Sequence, residues 1–97
     1  METTITSRHV VTSKELQDYI MSRVNKLDKY FKGIQRLHVI LSTEGDQKQA
    51  ELVMSLVRGK VQTAVGKADT LQGAIDAAHD KAEVQLTRFK EKIRDKR

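Results

Sequence analysis

Two long stretches of the chain each carry one apolar stripe at helical spacing, and neither stripe can be left in water. Leu16, Ile20, Val24, Leu27 and Phe31 recur at intervals of four, four, three and four, which marks one face of an α-helix. Leu71, Ile75, Ala78, Ala82, Leu86, Phe89 and Ile93 repeat the pattern over about six turns. Thr12 followed three residues later by Glu15 has the form of a capping box, and Gly33 stands where a helix would stop. The first helix is therefore predicted over 13–32. Asp69, with Gln72 three residues on, marks the start of the second.

The surface that buries these stripes lies in the remaining sequence. "QAELVMSLV" puts Ala50, Leu52, Met54 and Leu56 on one side and Glu51, Val53, Ser55 and Val57 on the other, the period of a strand. "QRLHVILST" before it and "VQTAVGKA" after it read as strands, joined by "EGDQK" and by a tight connection at Arg58-Gly59-Lys60. "TTITSRHVV" gives a further β-branched run around Ile5. The order is β-α-β-β-β-α, an α+β fold. Two one-faced helices are buried most simply side by side on one face of a four-stranded mixed sheet. The first β-α-β unit requires strands one and two to be parallel, with a right-handed crossover. The other sheet face stays partly open.

At 97 residues the chain makes one domain, predicted to span 1–97. It has no cysteine, which excludes a disulfide framework and thiolate metal sites. No apolar run approaches a membrane span, and "METTITSRHV" lacks the apolar stretch of a signal peptide. An intracellular protein without membrane attachment is expected. His9, His38 and His79 fall on three different elements, and the five glycines are scattered. No nucleophile, metal set or phosphate loop emerges, so neither enzymatic activity, a cofactor nor a metal is expected.

The charge is polarised. The net charge is +5, and the segment from Lys81 to Arg97 holds seven basic residues against Glu83, Glu91 and Asp95, leaving the other eighty residues at +1. On a helical wheel Lys81, Arg88 and Lys92 line one flank of the second apolar stripe, and Lys90 and Arg97 the other. Asp76, Asp80, Glu83 and Glu91 fall mostly on the back. Tyr19, Arg23, Lys26 and Tyr30 flank the first stripe, with Lys29 and Lys32 beyond. Side-by-side helices would then face a common basic groove with two tyrosines, suited to phosphates and ribose. Basic residues beside an apolar stripe also snorkel over the core edge, and helix C-termini favour them. The polarised ensemble, more than any single residue, points to nucleic acid.

"ITSRHVVTSKEL", "NKLDKYFKGI", "HVILS" and "AIDAAHDKAEVQLTRFKEKI" together resemble the ribosome hibernation-promoting factors, also called ribosome-associated inhibitors, across essentially the whole chain. The resemblance implies a fold similar to double-stranded-RNA-binding domains with an extra first strand. It implies binding to the small ribosomal subunit between head and body, where the domain competes with tRNA and mRNA and blocks initiation on idle ribosomes. It implies ribosomal RNA contacts by Arg8 and His9 after the first strand, by Lys26 and Lys29 in the first helix, and by Lys81, Arg88, Lys90 and Lys92 in the second; Arg23 and Arg94, basic residues of the same two helices, are expected to bind ribosomal RNA with them. Val84 stands where relatives often have arginine, and Gln72 where they often have tyrosine. The chain resembles a short form, or the N-terminal domain of a long one. It is expected to be cytoplasmic, a monomer when free, and as a short form to work with a separate ribosome modulation factor. Two other functions are compatible with the residues alone: a protein-interaction module that adds a strand at a sheet edge, and a general double-stranded-RNA-binding domain.

Overall fold

The computed structural model describes residues 1–95, with side chains described through Lys92. Strand β1 (Glu2–Ser7) leads into helix α1 (Lys14–Tyr30). Strands β2 (Ile34–Glu44), β3 (Gln47–Leu56) and β4 (Val61–Ala68) follow, and helix α2 (Leu71–Asp95) ends the fold. The sheet order is β1-β2-β3-β4. β1 pairs with β2 in parallel, and the other two pairings are antiparallel. The expected element order and mixed sheet are observed.

Strand alternation decides which face the helices cover. Leu37, Val39 and Leu41 of β2, Ala50, Leu52, Met54 and Leu56 of β3, and Ala64 of β4 form one buried cluster with Ile20, Val24 and Leu27 of α1 and Ala74, Ile75, Ala78, Ala82, Leu86 and Phe89 of α2. Both helices therefore lie on the same face. The opposite face carries Thr4, Thr6, His38, Glu51, Val53, Thr63 and Lys67, matched across the strands by register. Here the Thr6 Oγ1 and His38 Nε2 atoms are hydrogen-bonded at 2.7 Å.

The helix starts differ from expectation by one residue. Ser13, not Thr12, caps α1: it is extended at φ −90°, ψ 166°, and its Oγ accepts from the Leu16 N–H at 3.1 Å. Thr12 instead accepts from the Gln17 side chain. Thr70, not Asp69, caps α2, accepting from the Gly73 N–H at 3.0 Å. At the far end of α1, Phe31 is already extended, at φ −136°. Gly33 is thus not a left-handed helix terminator. Its lack of a side chain makes room for the Phe31 ring, which would lie 2.6 Å from an added Cβ.

Gly66 sets how closely α2 approaches the sheet. A Cβ there would lie 2.3 Å from both the Ala74 carbonyl oxygen and the Ala78 nitrogen. Those are backbone atoms of α2, so no rotamer change relieves the overlap. Gly66→Ala is expected to cost about 1–3 kcal/mol, read as a shift in denaturation midpoint. Stability within 0.5 kcal/mol of the parent, roughly the surface range, would show that α2 sits further from β4.

α2 also outruns its strand. Its 25 residues span about 37 Å, whereas the eight residues of β4 span about 26 Å. Its last turns pass the start of β4 and lie beside the β3–β4 connection.

Candidate nucleic-acid interface

The two helices run parallel in a fixed register. Tyr19 meets Asp76, Arg23 meets His79, and Tyr30 meets Thr87, each pair about one constant offset apart in sequence. The C-terminal halves of both helices therefore lie at the same end of the molecule. That end carries Lys26 and Lys29 from α1 and Arg88, Lys90 and Lys92 from α2, all exposed. Lysines and arginines there also complement the negative ends of both helix dipoles. Among the described residues no carboxylate pairs with Lys26, Lys29, Lys81, Arg88 or Lys92. Their charge faces solvent.

The structure does not gather every predicted residue there. Lys81 is exposed midway along α2, beside the half-exposed Val84. Arg8 and His9 follow β1 at the opposite end of the sheet, where the Arg8 N–H donates to the Leu41 carbonyl at 2.8 Å. His9 is exposed with φ +60°. The Arg94 side chain lies outside the described residues. Arg23 is in the helix–helix seam: its Nε is 3.3 Å from the Asp76 carboxylate and its Nη2 3.9 Å from that of Asp80.

The seam overturns the common basic groove. Asp76 and Asp80, placed by the wheel on the back of α2, lie 3.3 and 3.9 Å from Arg23 of α1, and Glu83 lies 3.3 Å from the buried His79 of its own helix, while Asp80 stays largely in solvent at 75% exposure. Tyr19 donates to Asp76, and the hydroxyls of Tyr30 and Thr87 are hydrogen-bonded. Both tyrosines fasten the helices together. The bond to Asp76 raises the Tyr19 pKa above its ordinary 10.0. Lys90 lies over the Tyr30 ring, 4.6 Å from its centroid, a cation–π contact. The wheel placed these side chains at the right angles but could not show that acidic and basic rows would meet.

His79 is the buried member of this seam, 4% exposed. Its Nδ1 lies 3.2 Å from Arg23 Nη2 and 3.3 Å from Glu83 Oε1, and its Nε2 is buried without a partner. With Asp80 and Glu83 it places three ligand-type atoms within 4.8 Å, and the Arg23 guanidinium supplies the positive charge they face. Burial, then Arg23, lowers the His79 pKa, against the pull of Glu83 and Asp80. The neutral ring is therefore favoured by folding, while the unfolded chain takes up a proton near pH 6.5. Stability should fall as pH drops through that value. His79→Gln should flatten the melting temperature between about pH 7.5 and 5.5. Parallel profiles for the two proteins would contradict this assignment.

A further basic group sits in the hairpin connection. Arg58 and Lys60, between β3 and β4, line a cleft with Gln62, Gln85, Arg88, Phe89 and Lys92. The sequence signal was the arginine beside Gly59 in a turn where asparagine is the usual partner of glycine.

A parallel helix pair over a mixed four-stranded sheet, with cations that have no carboxylate partner among the described residues collected at one end, defines a small α+β domain with one basic end. The chain belongs to the family described as Sigma 54 modulation protein / S30EA ribosomal protein, which matches residues 3–94. It is 30% identical to the ribosome hibernation promoting factor of Pseudomonas putida over 92 residues, 95% of this chain and 89% of that one. It is 28% identical to that of Salmonella typhimurium over 94 residues, 97% and 98% of the two chains. The fold matches a ribosomal subunit interface protein from Coxiella burnetii with a TM-score of 0.84 at 20% identity, covering 94% of this chain and 99% of that one. The Thermus thermophilus Protein Y N-terminal domain aligns with a TM-score of 0.79 at 29% identity, covering 92% and 99%.

Proposed function

We propose that this protein is a non-enzymatic ribosome hibernation factor. It seats on the small ribosomal subunit between head and body, in the mRNA channel and tRNA sites. There it blocks initiation and preserves idle ribosomes. The observation that carries this reading is the set of cations at the C-terminal ends of both helices that have no acidic partner among the described residues. Family membership and the names of the relatives give it a ribosomal setting. Lys26, Lys29, Arg88, Lys90 and Lys92 meet ribosomal RNA phosphates, with Lys81 further along the same helix. Arg8 and His9 form a separate contact at the other end of the sheet. Arg23 acts indirectly, by holding α1 and α2 in register. A ribosome-bound factor of this family works in the cytoplasm. No described helix is long and apolar enough to cross a membrane.

Strand addition at the β4 edge is less well supported. Gln85 Nε2 donates to the Thr63 carbonyl of edge strand β4 at 2.9 Å, so an added strand would meet an acceptor already in use. The test of the ribosomal reading is competition. Saturating amounts of this protein should displace tRNA from purified small subunits, and tRNA should displace the protein. Simultaneous, independent binding of both would refute it.

A further inference from the structure

We propose that the β3–β4 connection and the end of α2 form a two-jawed clamp for the phosphate backbone of RNA. Arg58 and Lys60 make one jaw, and Arg88 and Lys92 the other. The inference rests on the ribosomal reading and adds a specific contact to it.

The cleft between the jaws has a volume of about 420 Å³ and is lined by the four cations, Gln62, Gln85 and Phe89, with no acidic residue among them. Phe89 is 8% exposed and packs edge-on against Phe31, with ring centroids 5.6 Å apart, so the cleft rests on the core. Gln85 is fixed through its Nε2 bond to Thr63, and its Oε1 is buried without a partner. Like charges on facing jaws repel in the free protein, and an anion between them relieves that repulsion. Two guanidiniums add planar forks that match phosphate oxygens.

The backbone at Arg58 supplies an independent argument. Arg58 has φ +66° and is followed by Gly59 at φ +71°. Asparagine or glycine adopts this conformation with little strain, whereas a residue such as arginine is disfavoured there. Arg58 is exposed and has no ion-pair partner among the described residues. Among the described residues no hydrogen bond or ion pair of its side chain offsets the strained choice. A residue that breaks a local rule without structural gain points to function. RNA suits the cleft better than an acidic protein segment, because its lining is four cations and two amides with Phe89 the one apolar residue among them, which offers phosphates charge and forked donors but gives apolar side chains little to pack on.

The test compares three variants of the full chain: Arg58→Asn with Lys60→Gln, Arg88→Gln with Lys92→Gln, and all four changes together. Binding is measured across a salt series to purified small subunits, to an RNA duplex of about 16 base pairs and to poly-glutamate. Each pair should weaken binding to subunits at least tenfold and make its salt dependence shallower by about one to two units. The fourfold variant should lose less than the product of the two, because both jaws hold the same phosphates. Arg58→Asn alone should melt at the same temperature or higher, since asparagine suits the left-handed turn; a structural role for Arg58 would lower it. If the loop pair leaves affinity and salt slope unchanged while the helix pair reduces both, the clamp is refuted and the ribosomal reading stands. If subunits are not bound but duplex binding needs both jaws, the clamp stands and the ribosomal reading falls. Dependence of poly-glutamate binding on both jaws, with RNA binding indifferent to them, would make the cleft a protein site and overturn the proposal.

Discussion

Leu27→Ala and Leu86→Ala are each expected to destabilise the protein by about 2–5 kcal/mol. Both side chains are fully buried, at 0% exposure, one on each helix, in the single cluster that joins helices to sheet. Truncation removes apolar contact and leaves a cavity that a close-packed core fills only partly. A domain of this size has a total stability not far above that loss. Either variant should therefore be near unfolding at growth temperature and lose ribosome binding for that reason alone. Urea denaturation of both against the parent measures it. A loss below 0.5 kcal/mol, roughly the surface range, would mean that the helix concerned is rotated from the orientation described.

Arg88→Glu with Lys92→Glu should have the opposite signature. Both residues are exposed, so the melting temperature should barely move. Binding to small subunits should fall at least tenfold, about 1.4 kcal/mol, because two phosphate attractions become repulsions. The pair separates fold from function cleanly, since the apolar stripe through Leu86 and Phe89 is untouched. Unchanged affinity with native circular dichroism would remove this flank from the RNA-facing surface.

Periodicity carried most of the fold. Spacings of three and four placed Ile20, Val24 and Leu27, and alternation placed Leu52, Met54 and Leu56, because burial enforces both patterns whatever the tertiary detail. Helix caps were less legible. Thr12 and Ser13 are both cap residues, as are Asp69 and Thr70, and only backbone geometry chooses between neighbours. The exposed cations of α2 were legible as a flank, but their partners were not. Arg23 looked like its neighbour Lys26 on the wheel, yet it faces Asp76 and Asp80 across the seam while Lys26 faces solvent. That distinction depends on how two helices are set against one another, which neither helix's own sequence states. His79 was hidden for the same reason: its burial comes from α1 lying over it. Arg58 was visible only as a charge in a turn, and its left-handed backbone belongs to the three-dimensional structure.

The most direct test of the account is the salt dependence of the intact protein's binding to purified small subunits. Cations gathered at the helix ends and meeting several phosphates release about 0.7 to 0.9 counterions per contact. A plot of log affinity against log salt should therefore fall with a slope of at least about three. A slope near zero, at any affinity, would mean that the basic end of the molecule does not meet ribosomal RNA, and would contradict the central claim.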